Sequence, residues 1–176
     1  FLNQTNYLCL SWGIPLEAPL ESTAEDFLRN TREYWQNFIN EAAIANFRQK
    51  SIIRSILALK LHQFEDTGAI IAASTSSLPE YPGQGRNWDY RYCWLRDSFY
   101  TLMALNNIGH FYELQQYAFY IQNLLSQKNG LEDLRPVYTL VGDIDKLPEE
   151  KLNLAGYQGN QPVRRGNAAY THVQND

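Results

Sequence analysis

One run of residues concentrates the chemistry this sequence could perform: Gly85-Arg86-Asn87-Trp88-Asp89-Tyr90-Arg91-Tyr92-Cys93-Trp94-Leu95-Arg96-Asp97-Ser98. In an extended chain alternate side chains share a face, so Trp88, Tyr90, Tyr92 and Trp94 would form one aromatic wall. A pyranose ring has apolar C–H faces, and a wall of this kind can bury it while its hydroxyls meet polar groups. Arg96 offers several fixed N–H donors to hydroxyl oxygens, and the Asp97 carboxylate can accept from two neighbouring hydroxyls. A buried partner left unmatched costs roughly 1–3 kcal/mol, which is how such a site rejects the wrong sugar. The same residues also have a plain structural reading. Alternating aromatics form the buried face of many strands, Asp97 ahead of Ser98-Phe99-Tyr100 can cap a helix, and Arg96 can be an ordinary ion-pair partner. Residue types alone leave both readings open.

Other candidates carry less. His62, His110 and His172 lie far apart without metal-ligand spacing, so no metal or other cofactor is expected. Cys93, set between Tyr92 and Trp94 with no histidine nearby in sequence, reads as a small buried residue rather than a nucleophile. With Cys9 it could form one bridge, which is no disulfide framework. The acids Glu80, Asp89, Glu132, Asp133, Asp143 and Glu149 read as surface or capping groups. Asn3-Gln4-Thr5 is a weak match to a glycosylation acceptor, and no glycine loop suited to phosphate is present.

The elements that must position these residues follow from patterning. In the 176 residues, 44% are hydrophobic and 14% aromatic, enough apolar material for a folded core. The net charge of -4 and the lack of basic runs argue against nucleic-acid or acidic-membrane partners, and no apolar run can span a bilayer. Few cysteines give a slight preference for a reducing, cytoplasmic compartment, although localisation stays unknown. The missing initiator Met and the plain finish at Gln174-Asn175-Asp176 lead to the expectation that the chain is an internal segment of a longer one.

Tyr7 to Trp12, closed by Gly13 and Pro15, predicts a strand. Ser22 and Thr23 before Glu25 and Asp26 predict a helix start, with Phe27, Leu28, Tyr34, Trp35, Phe38 and Ile39 near helical spacing. The strongest helical stripe runs from about Ile44 to Phe64 and should stop at Asp66-Thr67-Gly68. Residues 74–85 read as a loop. Further helices are predicted over about Ser98–Asn107 and Phe111–Gln127, the latter stopped by Asn129-Gly130, and another is expected to start after Asn167. Helices joined by long irregular connections imply a mainly α architecture whose loops carry the function.

Four segments resemble bacterial and archaeal members of glycoside hydrolase family 15: Thr67-Gly68-Ala69, Ser74 to Glu80, Arg86 to Asp97, and Pro162 to Ala169. The resemblance runs in order from about Leu8 to Asp176 and is sharpest over Asn87 to Asp97. It implies part of an (α/α)6 barrel preceded by the last strand of an N-terminal β-sandwich domain. Residues 1–19 would end the sandwich, 20–42 would be a linker helix, and 43–176 would begin the barrel. It further implies that Arg96 and Asp97 grip the non-reducing glucose, with Tyr90 and Trp94 lining the same pocket. The implied partners are an α-glucosidic oligo- or polysaccharide and the rest of the same polypeptide. The family inverts, using one carboxylic acid and one carboxylate on opposite sides of the sugar. Both are expected downstream of Asp176, so no catalytic residue is assigned here. A glucoamylase-type release of terminal glucose is the first expectation. A trehalase, or a non-catalytic carbohydrate-binding module on the same fold, is the alternative.

An incomplete barrel leaves apolar helix faces without partners. The isolated chain is therefore expected to aggregate or melt broadly; a sharp cooperative calorimetric transition of a monomer would refute this.

Overall fold

The computed structural model describes residues 5–15, 19–127 and 133–172. Contacts divide the chain into two units, Phe1–Ala42 and Ala43–Asp176.

The first unit is built on α1, Leu20–Asn40. Pro19 precedes it with a fixed φ and no N–H to satisfy, a fitting place for a helix to begin. The Ser22 hydroxyl donates back to the Pro19 carbonyl at 3.3 Å, so the helix opens just ahead of the predicted Ser22-Thr23 signal. Along α1, Tyr34 and Trp35 stand edge to face at 5.1 Å, and Trp35 and Phe38 at 6.0 Å. The Tyr7 hydroxyl donates to Glu25 at 3.2 Å. The strand expected over Tyr7–Trp12 is not formed: the segment has no regular structure, and Leu8, Leu10 and Trp12 are almost wholly exposed. A strand exists only through a neighbour's N–H and C=O groups, and no described residue of this unit supplies that ladder.

The second unit carries α2 (Gln49–Leu61), α3 (Leu95–Asn106) and α4 (Phe111–Ser126). Helix α2 is shorter than the predicted Ile44–Phe64. Arg48 sits at φ 48, a left-handed conformation through which a right-handed helix cannot propagate. Ile44 and Phe47 therefore lie ahead of the helix. At its other end α2 stops at Leu61, and a tight turn follows in which the Phe64 N–H donates to Ala69 O and the Gly68 N–H to Phe64 O, both at 2.8 Å. Gly68 has the positive φ expected of it (+82), but serves this turn rather than the helix end. It also passes so close to α4 that a Cβ would collide with the Gln116 backbone.

Helix α3 begins three residues before the predicted Ser98, with Trp94 at its N-cap position, and α4 lies where the spacing placed it. The Asn129-Gly130 stop lies outside the described residues. The helix expected after Asn167 is one 3-10 turn, Ala168–Thr171, whose Ala169 N–H donates to the Asn167 side chain at 3.0 Å. Two small antiparallel sheets complete the unit. Strand β1 (Cys93–Trp94) pairs with β2 (Val137–Tyr138), and β3 (Glu150–Leu152) pairs with β4 (Val163–Arg165). Ile71 bridges to Cys93 on the side of β1 away from β2. The described structure is thus mainly helical with small antiparallel sheets.

The core gathers Ala69, Ile70, Cys93, Tyr117, Tyr120, Leu124 and Tyr138. Beside it Lys60 and Glu113 form a buried ion pair at 3.1 Å, joining the end of α2 to the start of α4. Gln63 reinforces it by accepting from Lys60 at 3.3 Å and donating to the Glu113 carbonyl at 3.0 Å. A charge stranded there by loss of its partner would cost roughly 3–5 kcal/mol, so this contact locks the helix register.

Burial pushes the hydroxyls of Tyr117, Tyr120 and Tyr138 above their ordinary value of 10.0. The unfolded chain then releases these protons first as pH rises. Their contribution is complete below about pH 10 and falls above it. Urea unfolding of the complete polypeptide between pH 9 and 11.5 should show that decline; a flat profile would contradict it.

Candidate functional site

The aromatic run is extended because the preceding segment pairs with it. The Ala72 N–H donates to Tyr92 O at 3.0 Å, Ala73 to Tyr90 at 3.0 Å, Ser77 to Trp88 at 2.9 Å, and Glu80 to Arg86 at 2.8 Å. Part of what composition marked as loop over residues 74–85 is therefore a supporting arm. Pairing of this kind enforces alternation of faces. Asn87, Asp89 and Cys93 are fully buried in the protein, while the intervening aromatics look the other way.

Each inward residue is chemically committed. Asn87 donates to the Pro162 carbonyl and accepts from Arg164 Nε at 3.4 Å. Asp89 takes a two-pronged ion pair from Arg91, with Nε and Nη2 each at 2.9 Å, and its carbonyl accepts from Asn167 Nδ2 at 3.0 Å. The hydrogen bond to Asp89 raises the Arg91 pKa above its ordinary value. Burial pushes the Cys93 thiol up, which suits a packed residue and not a thiolate nucleophile.

Outward, Trp88, Tyr90 and Trp94 line an open pocket of about 270 Å³. Glu149, Asn167, Ala169 and His172 form its other walls. The Tyr90 and Trp94 ring centroids are 6.4 Å apart, and the Tyr90 hydroxyl donates to Glu80 at 3.2 Å. Burial raises the Tyr90 pKa, helped by Glu80 and by the nearby charge of Asp97. Trp94 is 8% exposed, and its buried indole N–H makes no hydrogen bond. Tyr92 borders a second cavity, of about 600 Å³, together with Lys146, Glu149, Glu150 and Arg165. Its hydroxyl accepts from the Gly166 N–H at 3.1 Å. Three of the four aromatics therefore line one cavity, while Tyr92, where the chain bends, borders the other.

Arg96 and Asp97 occupy the first turn of α3 and do not line the Trp88–Tyr90–Trp94 pocket itself. Their side chains are 49% and 41% exposed, and Arg96 Nη2 lies 3.5 Å from Asp97 Oδ2. The Arg96 guanidinium stands 5.9 Å from the Trp94 ring centroid. Asp97 is not the N-cap, because the helix starts earlier; at the third helical position it favours the positive end of the helix dipole without closing a cap. Tyr90 and Trp94 are therefore brought together, with Arg96 and Asp97 beside them.

Several contributors escape sequence reasoning. Glu149 and Asp89 read as surface or capping acids, yet Asp89 has no exposed side chain and Glu149 only 17%. Asn167 and Arg164 come from the Pro162–Ala169 stretch, whose likeness to the family was their only signal. Among the described residues no group of three His, Cys, Asp or Glu side chains converges as a metal site, and no helix is long and apolar enough to cross a membrane.

The family model of glycosyl hydrolases family 15 matches residues 46–176, and the chain belongs to that family. Its relatives include proteins named trehalase. One from Thermoplasma volcanium is 37% identical over 149 residues, covering 85% of this chain and 23% of the relative. One from Mycolicibacterium smegmatis is 36% identical over 172 residues, covering 97% and 26%. A protein named Trehalase 2 from Sulfolobus acidocaldarius is 36% identical over 132 residues, covering 75% and 22%. The chain spans about a quarter of the length of these curated relatives. No solved structure matches it.

Substitution of Asp89 by Asn should remove one prong of the ion pair and turn an amide N–H toward the Arg91 guanidinium. A loss of roughly 1–3 kcal/mol in urea unfolding of the complete polypeptide is expected; unchanged stability would show that the pair does not hold the run in place.

Proposed function

We propose that this chain provides the glucose-binding part of a glycoside hydrolase that cleaves an α-glucosidic bond with inversion. The observation that carries the reading is the open pocket walled by Trp88, Tyr90 and Trp94, with the half-exposed Arg96–Asp97 pair beside it. Aromatic faces suit the apolar side of a pyranose. Arg96 and Asp97 add the donors and acceptors that tell one hydroxyl pattern from another. Exposure of this pair matters: charged groups sealed in a core could not reach a ligand.

Residues 43–176 would form the first part of an (α/α)6 barrel, following a linker helix at 20–42 and the end of a β-sandwich domain at 1–19. The catalytic acid and base would come from the remainder of the polypeptide, so none is assigned here. Such a division agrees with a mechanism that separates two carboxyl groups by roughly 6.5–9.5 Å across the sugar. A terminal-glucose activity of the glucoamylase type led the sequence reading. The names of the relatives favour trehalose as the substrate instead. Both substrates present a glucose to the same grip and differ in the group that leaves.

In the complete polypeptide, Arg96→Ala or Asp97→Ala should lower turnover by roughly 100-fold or more, the loss typical of a missing charge-stabilising contact. The fold, followed by circular dichroism, should persist. Wild-type kinetics in either variant would overturn the proposed grip. Hydrolysis of trehalose in preference to maltose would decide between the two substrates, and activity on neither would favour a binding module.

A further inference from the structure

Arg164, in β4, is 9% exposed and makes contacts with several residues of the site. Its guanidinium pairs with Glu149 through Nη1, donates to the Gly85 carbonyl from Nη2 at 3.3 Å, and donates to Asn87 Oδ1 from Nε at 3.4 Å. Its centre lies 4.7 Å from the Trp88 ring centroid, within range for a cation–π contact. Its main chain is held as firmly. The Arg164 N–H donates to Ser77 Oγ at 2.8 Å, and its carbonyl accepts from Ser76 Oγ at 3.0 Å. Register with Lys151 in β3 fixes the strand beneath it.

Two of these partners are walls of the pocket. Trp88 is one of its aromatic faces, and Glu149 borders both that pocket and the larger cavity beside it. One planar guanidinium thus touches both an aromatic ring and a carboxylate of the pocket wall. Arg164 occupies only Oε1 of Glu149, leaving the second oxygen able to accept from a ligand.

We propose that Glu149 is a specificity-determining acceptor for a sugar hydroxyl where the two cavities meet, and that Arg164 is the residue that positions it together with Trp88. The ligand class is a glucosyl disaccharide: one ring lies against the aromatics, and Glu149 takes a hydroxyl at the boundary with the second ring. This rests on the sugar-pocket reading given above. Lysine cannot replace Arg164 here, because an ammonium lacks the fork and the flat face that reach Glu149, Asn87 and Trp88 together.

The test uses the complete polypeptide with Glu149→Gln, Arg164→Lys and the double variant, and trehalose and maltose as probes. Binding is followed by tryptophan fluorescence and turnover by steady-state kinetics. Glu149→Gln should raise KM for the better substrate about ten-fold while kcat changes less than about three-fold, the pattern of a lost binding contact. Arg164→Lys should do the same, and the double variant should be less impaired than the product of the two single effects, because both act through one contact. Wild-type KM and affinity in Glu149→Gln would overturn the proposal while leaving the pocket reading standing. A lowered melting temperature in Arg164→Lys with unchanged KM would reduce Arg164 to a structural bolt and equally overturn its role. If Arg164→Lys does not fold, Glu149→Gln alone decides. A wild-type polypeptide that neither binds nor hydrolyses either sugar would instead sink the pocket reading, and this proposal with it.

Discussion

The site depends on one constraint: the run from Arg86 to Trp94 must stay extended. A pleated segment cannot send adjacent side chains the same way, so extension alone sorts the run into a structural edge and a ligand-facing edge. The supporting hydrogen bonds come from residues 72–80 on one side, and β2 continues the pairing on the other. Were the run to relax, Trp88, Tyr90 and Trp94 would lose their common face. The pocket would then vanish without the loss of any residue that lines it.

The inward edge explains why the outward one can remain open. Asn87, Asp89 and Cys93 give the segment its fixed contacts, through amide, ion-pair and packing interactions respectively. Trp88, Tyr90 and Tyr92 can then keep partly exposed faces, while Trp94 is itself buried against Val137 and Leu147. Buried polar groups tolerate no substitution that leaves a partner unsatisfied. Asp89 and Asn87 are therefore as necessary to the pocket as its walls, though neither borders it.

Helix α3 adds the charged pair by a separate route. It starts directly from β1, so the strand that carries Trp94 hands the chain to the helix turn that carries Arg96 and Asp97. The exit from the strand and the first helical turn set the distance from ring to guanidinium. Burial of Ser98 and Leu105, together with the contacts between α3 and α4, keeps that turn in place. The Lys60–Glu113 pair in turn ties α4 to α2. Site and scaffold form one chain of contacts from the α2 end to the first turn of α3.

Much of this was legible in the residues themselves. Helical spacing located α1, α3 and α4 within a few residues, the positive φ of Gly68 was foreseeable, and the alternation of Trp88 through Trp94 disclosed a two-faced segment. Those signals are local, because helix period and strand pleat repeat within a few residues. The sequence could not disclose contacts made across long separations. Arg164 reaching Asn87, Glu149 turning from a presumed surface acid into a pocket wall, and residues 72–80 pairing with the aromatic run all depend on how distant segments meet. Even the shortfall of α2 and the unformed strand at Tyr7–Trp12 follow this division. Apolar spacing records which face a segment would bury, whereas a left-handed Arg48 and the availability of a strand partner are settled only when the chain has folded.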